Sequence, residues 1–146
     1  MTIAEIENEI IEEFSFFSEW MDRYEHLIEL GKSLSPFDEK NKTEQNLING
    51  CQSRVWLDAC YENGLVYFTA DSDAIITKGI ISLLIRVLSE QSPQAILDAK
   101  LNFLDAIGLR ENLSPTRANG LLAMIKQMKM YALVFQSKEK NLNTFE

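Results

Sequence analysis

The apolar residues change their spacing twice along this chain, and those two changes constrain the fold most. Up to residue 31 they recur every three or four positions. Ile3, Ile6, Ile10, Phe14 and Phe17 form one side of an amphipathic helix with acids on its wet face. Thr2-Ile-Ala-Glu5 reads as a capping box at its start. Ser18 is placed to cap a second helix carrying Trp20, Tyr24, Leu27 and Ile28, which Gly31 ends as a left-handed C′ residue. A polar surface loop follows over 33–46. After Asn49-Gly50, a turn signal, the period falls to two. Val55, Leu57, Ala59 and Tyr61 lie on one side of a strand, and Trp56, Asp58 and Cys60 on the other. Glu62-Asn63-Gly64 supplies positive φ for a hairpin turn, and residues 65–70 make the return strand.

The second change comes at Asp71-Ser72-Asp73, which is rich in N-cap chemistry. Residues 74–88 are apolar on most sides, as in a helix buried against a sheet. Gly79 inside it costs about 1 kcal/mol against alanine, which predicts a close approach by a neighbour. Ser92-Pro93 opens a short helix by the cap-then-proline rule, and a further short turn over 102–107 stops at Gly108. Ser114-Pro115 opens the last helix, whose buried stripe is Leu121, Leu122, Met124, Ile125, Met128, Ala132 and Phe135. The tail, 136–146, reads as frayed. Helices and strands are segregated, so the class is α+β. The expected architecture is a single domain over 1–146, with a small antiparallel sheet of about three strands packed against helices.

Charge narrows the partners. The 146 residues carry a net −8. Residues 1–50 hold twelve acidic side chains against four basic, while residues 51–146 hold ten of each. An acidic face opposes phosphate backbones, so nucleic acid is not expected as a partner. The same face keeps a small protein soluble, or steers a basic protein surface toward it. The longest apolar run, 79–85, is broken by Ser82 and falls short of the ~18 residues of a membrane helix, so no membrane is expected. The acidic, periodic N-terminus is unlike a signal peptide, and a cytoplasmic location is expected.

Two cysteines and one histidine are too few to close a tetrahedral zinc site or hold an iron–sulfur cluster within one chain. Cys51 and Cys60, on one extended strand, would stand about 30 Å apart, beyond disulfide reach. Two free thiols in a reducing compartment are expected. Cys51 follows a turn and precedes a strand, reachable from outside yet fixed by a ladder. Thiol chemistry runs through the thiolate, which wants a positive neighbour, and Arg54 is the nearest such charge. If the strand runs unbroken from residue 51, parity points the sulfur toward the packed face. A sheltered sulfur suits a labile persulfide and equally an inert core cysteine. His26, on the second helix, carries no motif. Asp71 and Asp73 read as helix caps, Trp56 as packing or an exposed anchor, and Cys60 as a partly packed strand thiol.

The segment Gly50-Cys-Gln-Ser-Arg-Val-Trp-Leu57 resembles the SufE signature around the sulfur-accepting cysteine. RYEHLIELGKSL (23–34), DSDAIITKGIISLL (71–84) and LSPTRANGLLAMI (113–125) agree with that family in order and spacing, so the similarity spans about 10–136. Thr116 departs from the serine usual before Arg117, and Arg54 stands at a variable signature position. The resemblance implies the fold that SufE shares with IscU-type scaffolds, without their metal ligands. It implies that Cys51 accepts sulfur as a persulfide from a pyridoxal-phosphate cysteine desulfurase (SufS-like or CsdA-like) and passes it to an iron–sulfur scaffold complex. On that reading the chain is an accessory protein, not an enzyme, and needs no cofactor or metal of its own. Arg117, in the first turn of the last helix, is a supporting residue or a surface salt-bridge partner, and Arg54 is a second supporting candidate. The competing reading is a non-covalent adaptor that activates a desulfurase, with the thiol incidental. A thiol hydrolase would need a base and an oxyanion loop beside Cys51, and the sequence supplies neither.

Overall fold

A computed structural model describes the backbone of residues 1–144 and the side chains as far as Glu139. The order is α1 (Ile3–Ser15), α2 (Trp20–Lys32), two single 3₁₀ turns (Glu39–Asn41 and Glu44–Asn46), β1 (Val55–Glu62), β2 (Leu65–Ser72), α3 (Ile75–Leu88), α4 (Pro93–Asp98), α5 (Phe103–Ala106), α6 (Leu109–Asn112) and α7 (Pro115–Thr144). The class is α+β, as expected.

Local sequence explains most element ends. Thr2 Oγ1 accepts from the Glu5 amide at 3.2 Å and donates to the Glu5 carboxylate at 3.0 Å. Ser92 and Ser114 cap α4 and α7 by accepting from the amides of Ala95 and Arg117. The hairpin turns on Asn63 (φ 52°) and Gly64 (φ 81°), which fixes the antiparallel register from Glu62↔Leu65 to Val55↔Ser72.

The sheet has two strands, not about three. The outer edge of β1 is closed by other means. Leu47 makes a single bridge to Trp56, and Ile48 N–H donates to the Val55 carbonyl at 2.9 Å. The Asp58 carboxylate accepts from the Ala59 amide, and the Tyr131 hydroxyl of α7 donates to the Leu57 carbonyl. Side chains and a loop therefore hold the ground a third strand would occupy.

Four expectations about ends and faces are corrected. Gly31 lies inside α2, because α3 crosses there: a Cβ on Gly31 would sit 2.8 Å from the Gly79 amide nitrogen. Glu19, not Ser18, is the N-cap of α2. Neither Asp71 nor Asp73 caps α3; its N-cap is Ala74, with no side-chain bond. Asp71 instead pairs with Lys42 and Lys78. Leu122, placed on the buried stripe of α7, is exposed. The segment 136–144 continues the helix α7, and residues 145–146 of the expected frayed tail lie outside the described residues.

The core is one cluster running from Ile10 and Phe14 through Leu57, Val66 and the α3 residues Ile80, Ile81, Leu84 and Leu88 to Met128 and Ala132. α3 sits at its centre, which is why its sequence is apolar on most sides. Among the described residues no helix is long and apolar enough to cross a membrane.

Candidate functional site

Cys51 lies in the short link between the Asn49-Gly50 turn and β1. The strand begins only at Val55, so the parity argument from residue 51 does not apply. The sulfur is nonetheless turned inward, by a different cause. Gly50 adopts φ 96°, which lays the link against α7. A Cβ on Gly50 would lie 3.3 Å from the Ala123 Cβ. One residue on, Cys51 Sγ stands 3.6 Å from the Gly120 carbonyl oxygen, in the geometry of an S–H donor.

The other end of the link is pinned at Arg54. Its amide donates to Asp73 Oδ1 at 3.0 Å. Its carbonyl accepts from the Asp73 amide at 3.2 Å and from the Ser72 hydroxyl at 2.8 Å. The DSD segment thus acts as a clamp on the cysteine link rather than as a helix cap. Arg54 takes part through its backbone, and its side chain is exposed.

Beside Cys51 opens a cavity of about 430 Å³, bounded by Gln52 and Ser53 of the link, Thr77 and Ile80 of α3, and Arg117, Gly120 and Met124 of α7. Arg117 therefore shares a cavity with Cys51, which its distance in sequence does not suggest. Its Nη1 donates to the Tyr24 hydroxyl of α2 at 3.1 Å, and among the described residues no carboxylate pairs with it.

Cys51 is half-buried, and burial pushes its thiol pKa up. At neutral pH the sulfur is a protonated donor to Gly120 rather than a thiolate. Cys60 is different. It projects from the outer face of β1 opposite Tyr67 and is exposed. Its pKa is raised by partial desolvation and by the carboxylates of Glu62 and Asp58. Both thiols are free, as expected.

The remaining candidates sit elsewhere. His26 bonds Glu13 at 2.8 Å between the rings of Phe14 and Phe17, where it holds α1 to α2. Trp56 is half-buried beneath Lys42, whose Nζ lies 5.2 Å from the ring centre, so it packs the 39–48 loop onto β1. Among the described residues, no group of three His, Cys, Asp or Glu side chains is arranged to hold a metal ion. Gly120, Thr77 and Tyr24 are site neighbours that the sequence did not single out. Gly120 had a signal, a glycine inside a helix, of the kind that marked Gly79.

A half-buried thiol at the side of an open cavity, on a two-stranded α+β frame, defines a small thiol protein whose cavity lining, among the described residues, holds no histidine or carboxylate base. Residues 8–132 match the model of the SufE Fe-S metabolism associated domain, and the chain belongs to that family. It is 39% identical over 127 residues to an uncharacterised SufE-like protein of Synechocystis, covering 87% of this chain and 80% of that one. An uncharacterised SufE-like protein of Rhizobium meliloti is 41% identical over 133 residues, covering 86% and 93%. SufE-like protein 1 of Arabidopsis thaliana, named chloroplastic/mitochondrial, is 40% identical over 131 residues, which cover 89% of this chain and 35% of that longer one. The solution structure of a hypothetical protein from Thermus thermophilus superposes with a TM-score of 0.74 over 90% of this chain and 96% of that one, at 23% identity, a likeness of fold. Family membership implies a part in the sulfur transfer of Fe–S metabolism.

Proposed function

We propose that the protein is a sulfur acceptor that activates a pyridoxal-phosphate cysteine desulfurase, SufS-like or CsdA-like, and carries the sulfur as a persulfide on Cys51. The observation that carries this reading is the half-buried Cys51 sulfur at the side of the 430 Å³ cavity. The thiol loses its proton on docking. The thiolate attacks the outer sulfur of the desulfurase persulfide, a new S–S bond forms at Sγ, and the desulfurase cysteine leaves as a thiolate that takes up the proton. The sulfur then passes to an iron–sulfur scaffold complex.

The resting geometry supports such a cycle. A thiol held neutral against the Gly120 carbonyl reacts slowly with stray electrophiles. Docking has to draw the link off α7 before Sγ reaches a partner sulfur. The clamp at Arg54 and the glycine at 50 define the segment that moves, about residues 50–54. Arg117 supports the step by placing a cation beside the charge that develops on sulfur. Arg54 supports it by anchoring the link through its backbone. The acidic N-terminal third suits a basic surface on the desulfurase. A cytoplasmic location keeps both thiols reduced between cycles.

The test is to incubate the protein with a desulfurase, pyridoxal phosphate and cysteine, then measure intact and peptide masses. A gain of one sulfur on the Cys51 peptide is expected. Desulfurase activation that survives in Cys51→Ser would overturn the covalent role and favour the adaptor.

A further inference from the structure

We infer that Gly120 is the residue that makes room for the transferred sulfur: its missing side chain leaves the space beside Cys51 Sγ that the outer sulfur of a persulfide fills. The inference rests on the persulfide reading above and goes beyond it, by assigning a steric role to a position on α7 that carries no reactive group.

Three observations meet at this residue. First, Gly120 is buried in the interior of a 30-residue helix, where alanine is the better helix former. Helix stability therefore does not account for it. Second, no backbone crossing accounts for it either. Gly79 is required because a Cβ there would overlap the backbone of Leu27. A Cβ on Gly120 would meet only Cys51, with Sγ at 3.6 Å and Cα at 4.0 Å, which is ordinary contact. Alanine would be accepted beside the free thiol. Third, Gly120 and Cys51 border the same cavity, so the space left by the absent methyl adjoins open volume.

A persulfide adds one sulfur at about 2.05 Å from Sγ, an atom of roughly methyl size. A methyl at 120 competes for that space; bare glycine does not. The surroundings also suit the charge. A persulfide ionises more readily than a thiol. The Gly120 carbonyl favours the protonated thiol, but Thr77, Ser53 and Arg117 on the cavity wall offer donors to an anionic outer sulfur. The same small cavity thus holds a neutral thiol on one side and an anionic outer sulfur on the other.

The experiment loads the persulfide chemically, so that it does not depend on any desulfurase. Cys51, in a Cys60→Ser background, is converted to its mixed disulfide with thionitrobenzoate. Hydrosulfide then attacks Sγ, the Sγ–S bond to thionitrobenzoate breaks, and thionitrobenzoate leaves with the electron pair. Persulfide loss is followed by mass under dithiothreitol, whose thiolate takes the outer sulfur and releases Cys51 as a thiolate. Alkylation of the unloaded thiol is measured in parallel.

Gly120→Ala and Gly120→Ser should lose the persulfide at least tenfold faster than the parent, with thiol alkylation changed less than threefold. Leu121→Val, a change in the buried face of the same helix away from the cavity, should leave both rates within threefold. Equal persulfide lifetimes in the Gly120 variants and the parent overturn the inference. So does a parallel rise in both rates, which would mean a loosened link, or an equal effect of Leu121→Val. If the chemically loaded parent behaves as described but a desulfurase fails to load it, the proposed function fails and this inference stands.

Discussion

Gly79 of α3 lies so close to Leu27 of α2 that a Cβ on the glycine would stand 2.8 Å from the Leu27 carbonyl carbon and overlap its oxygen. Gly31 reciprocates, since a Cβ there would reach the backbone of Gly79 at 2.8 Å. The two glycines let α2 and α3 meet backbone to backbone beneath the site. Ser82 secures the same crossing by donating to the Leu30 carbonyl at 3.2 Å. Gly79→Ala gains about 1 kcal/mol of helix propensity but must force the helices apart. The net expectation is a loss of about 1–3 kcal/mol, seen as a lower urea midpoint with an unchanged m-value. A midpoint equal to that of the parent would refute the close crossing.

Cys51 should titrate late. Burial raises its pKa, so thiolate is scarce at neutral pH. In a Cys60→Ser background, iodoacetamide should alkylate the folded protein more slowly than the urea-unfolded chain. The rate should also climb at a higher pH in the folded state. The linkage has a definite sign. The folded thiol holds its proton to higher pH than the unfolded one, so Cys51 costs no stability below the unfolded thiol pKa. Stability falls as pH rises through and beyond that value. Coincident alkylation profiles for folded and unfolded chains would contradict the burial.

Sulfur loading should depend on one thiol. Cys51→Ser is expected to accept no sulfur from a desulfurase. Cys60→Ser should load as the parent does, because its side chain points away from the cavity on the exposed face of β1. Arg117→Gln should slow loading by about tenfold, the scale of one charge-assisted hydrogen bond of about 1.5 kcal/mol. Loading on the Cys60 peptide would overturn the dependence on one thiol, and an Arg117→Gln rate equal to that of the parent would remove Arg117 from the transfer step.

The acid limb of stability should include Glu13. Partial burial draws its pKa up, but the hydrogen bond from His26 and the charge and bonds of Arg86 outweigh that and hold it below the ordinary carboxylate value. Its contribution is present above the unfolded carboxylate pKa and is lost as pH falls through the lower folded value. Glu13→Gln should therefore cost at most about 1 kcal/mol of stability at pH 6 for so solvated a pair, read as a lower urea midpoint. The gap should narrow as the pH drops below about 4. A gap that persists unchanged into acid would assign the loss to packing instead.

Much of the frame was legible because it is written in short-range chemistry. Thr2, Ser92 and Ser114 cap helices because a hydroxyl reaches an amide three residues on. Asn63-Gly64 turns the chain because both residues tolerate positive φ. The alternation from Val55 to Tyr61 sets the buried face of β1. What misled was any inference that carried a local pattern past its end. Parity orients the Cys51 sulfur only if the strand reaches back to it, and Gly50 at φ 96° bends the chain before the ladder begins at Val55. Gly31 looks like a helix stop by local chemistry, yet its conformation is helical and its lack of a side chain answers to α3. Asp71 and Asp73 have the chemistry of caps, yet one pairs with Lys42 and Lys78 and the other holds the backbone of Arg54.

The sequence by itself determined the α+β class, the hairpin, two free thiols and, through the GCQS-x-VW segment, the family. These follow from periodicity, turn chemistry, residue counts and one specific motif, all readable without knowing which segments meet. Only the tertiary structure decided that Cys51 faces α7, that Gly120 rather than a base stands beside its sulfur, and that Arg117 and Thr77 share its cavity. Those contacts join residues 26 to 69 positions apart, and they depend on how α3 and α7 pack around a link of irregular backbone. No local propensity encodes that arrangement, because the free energy that fixes it comes from burial of the common core.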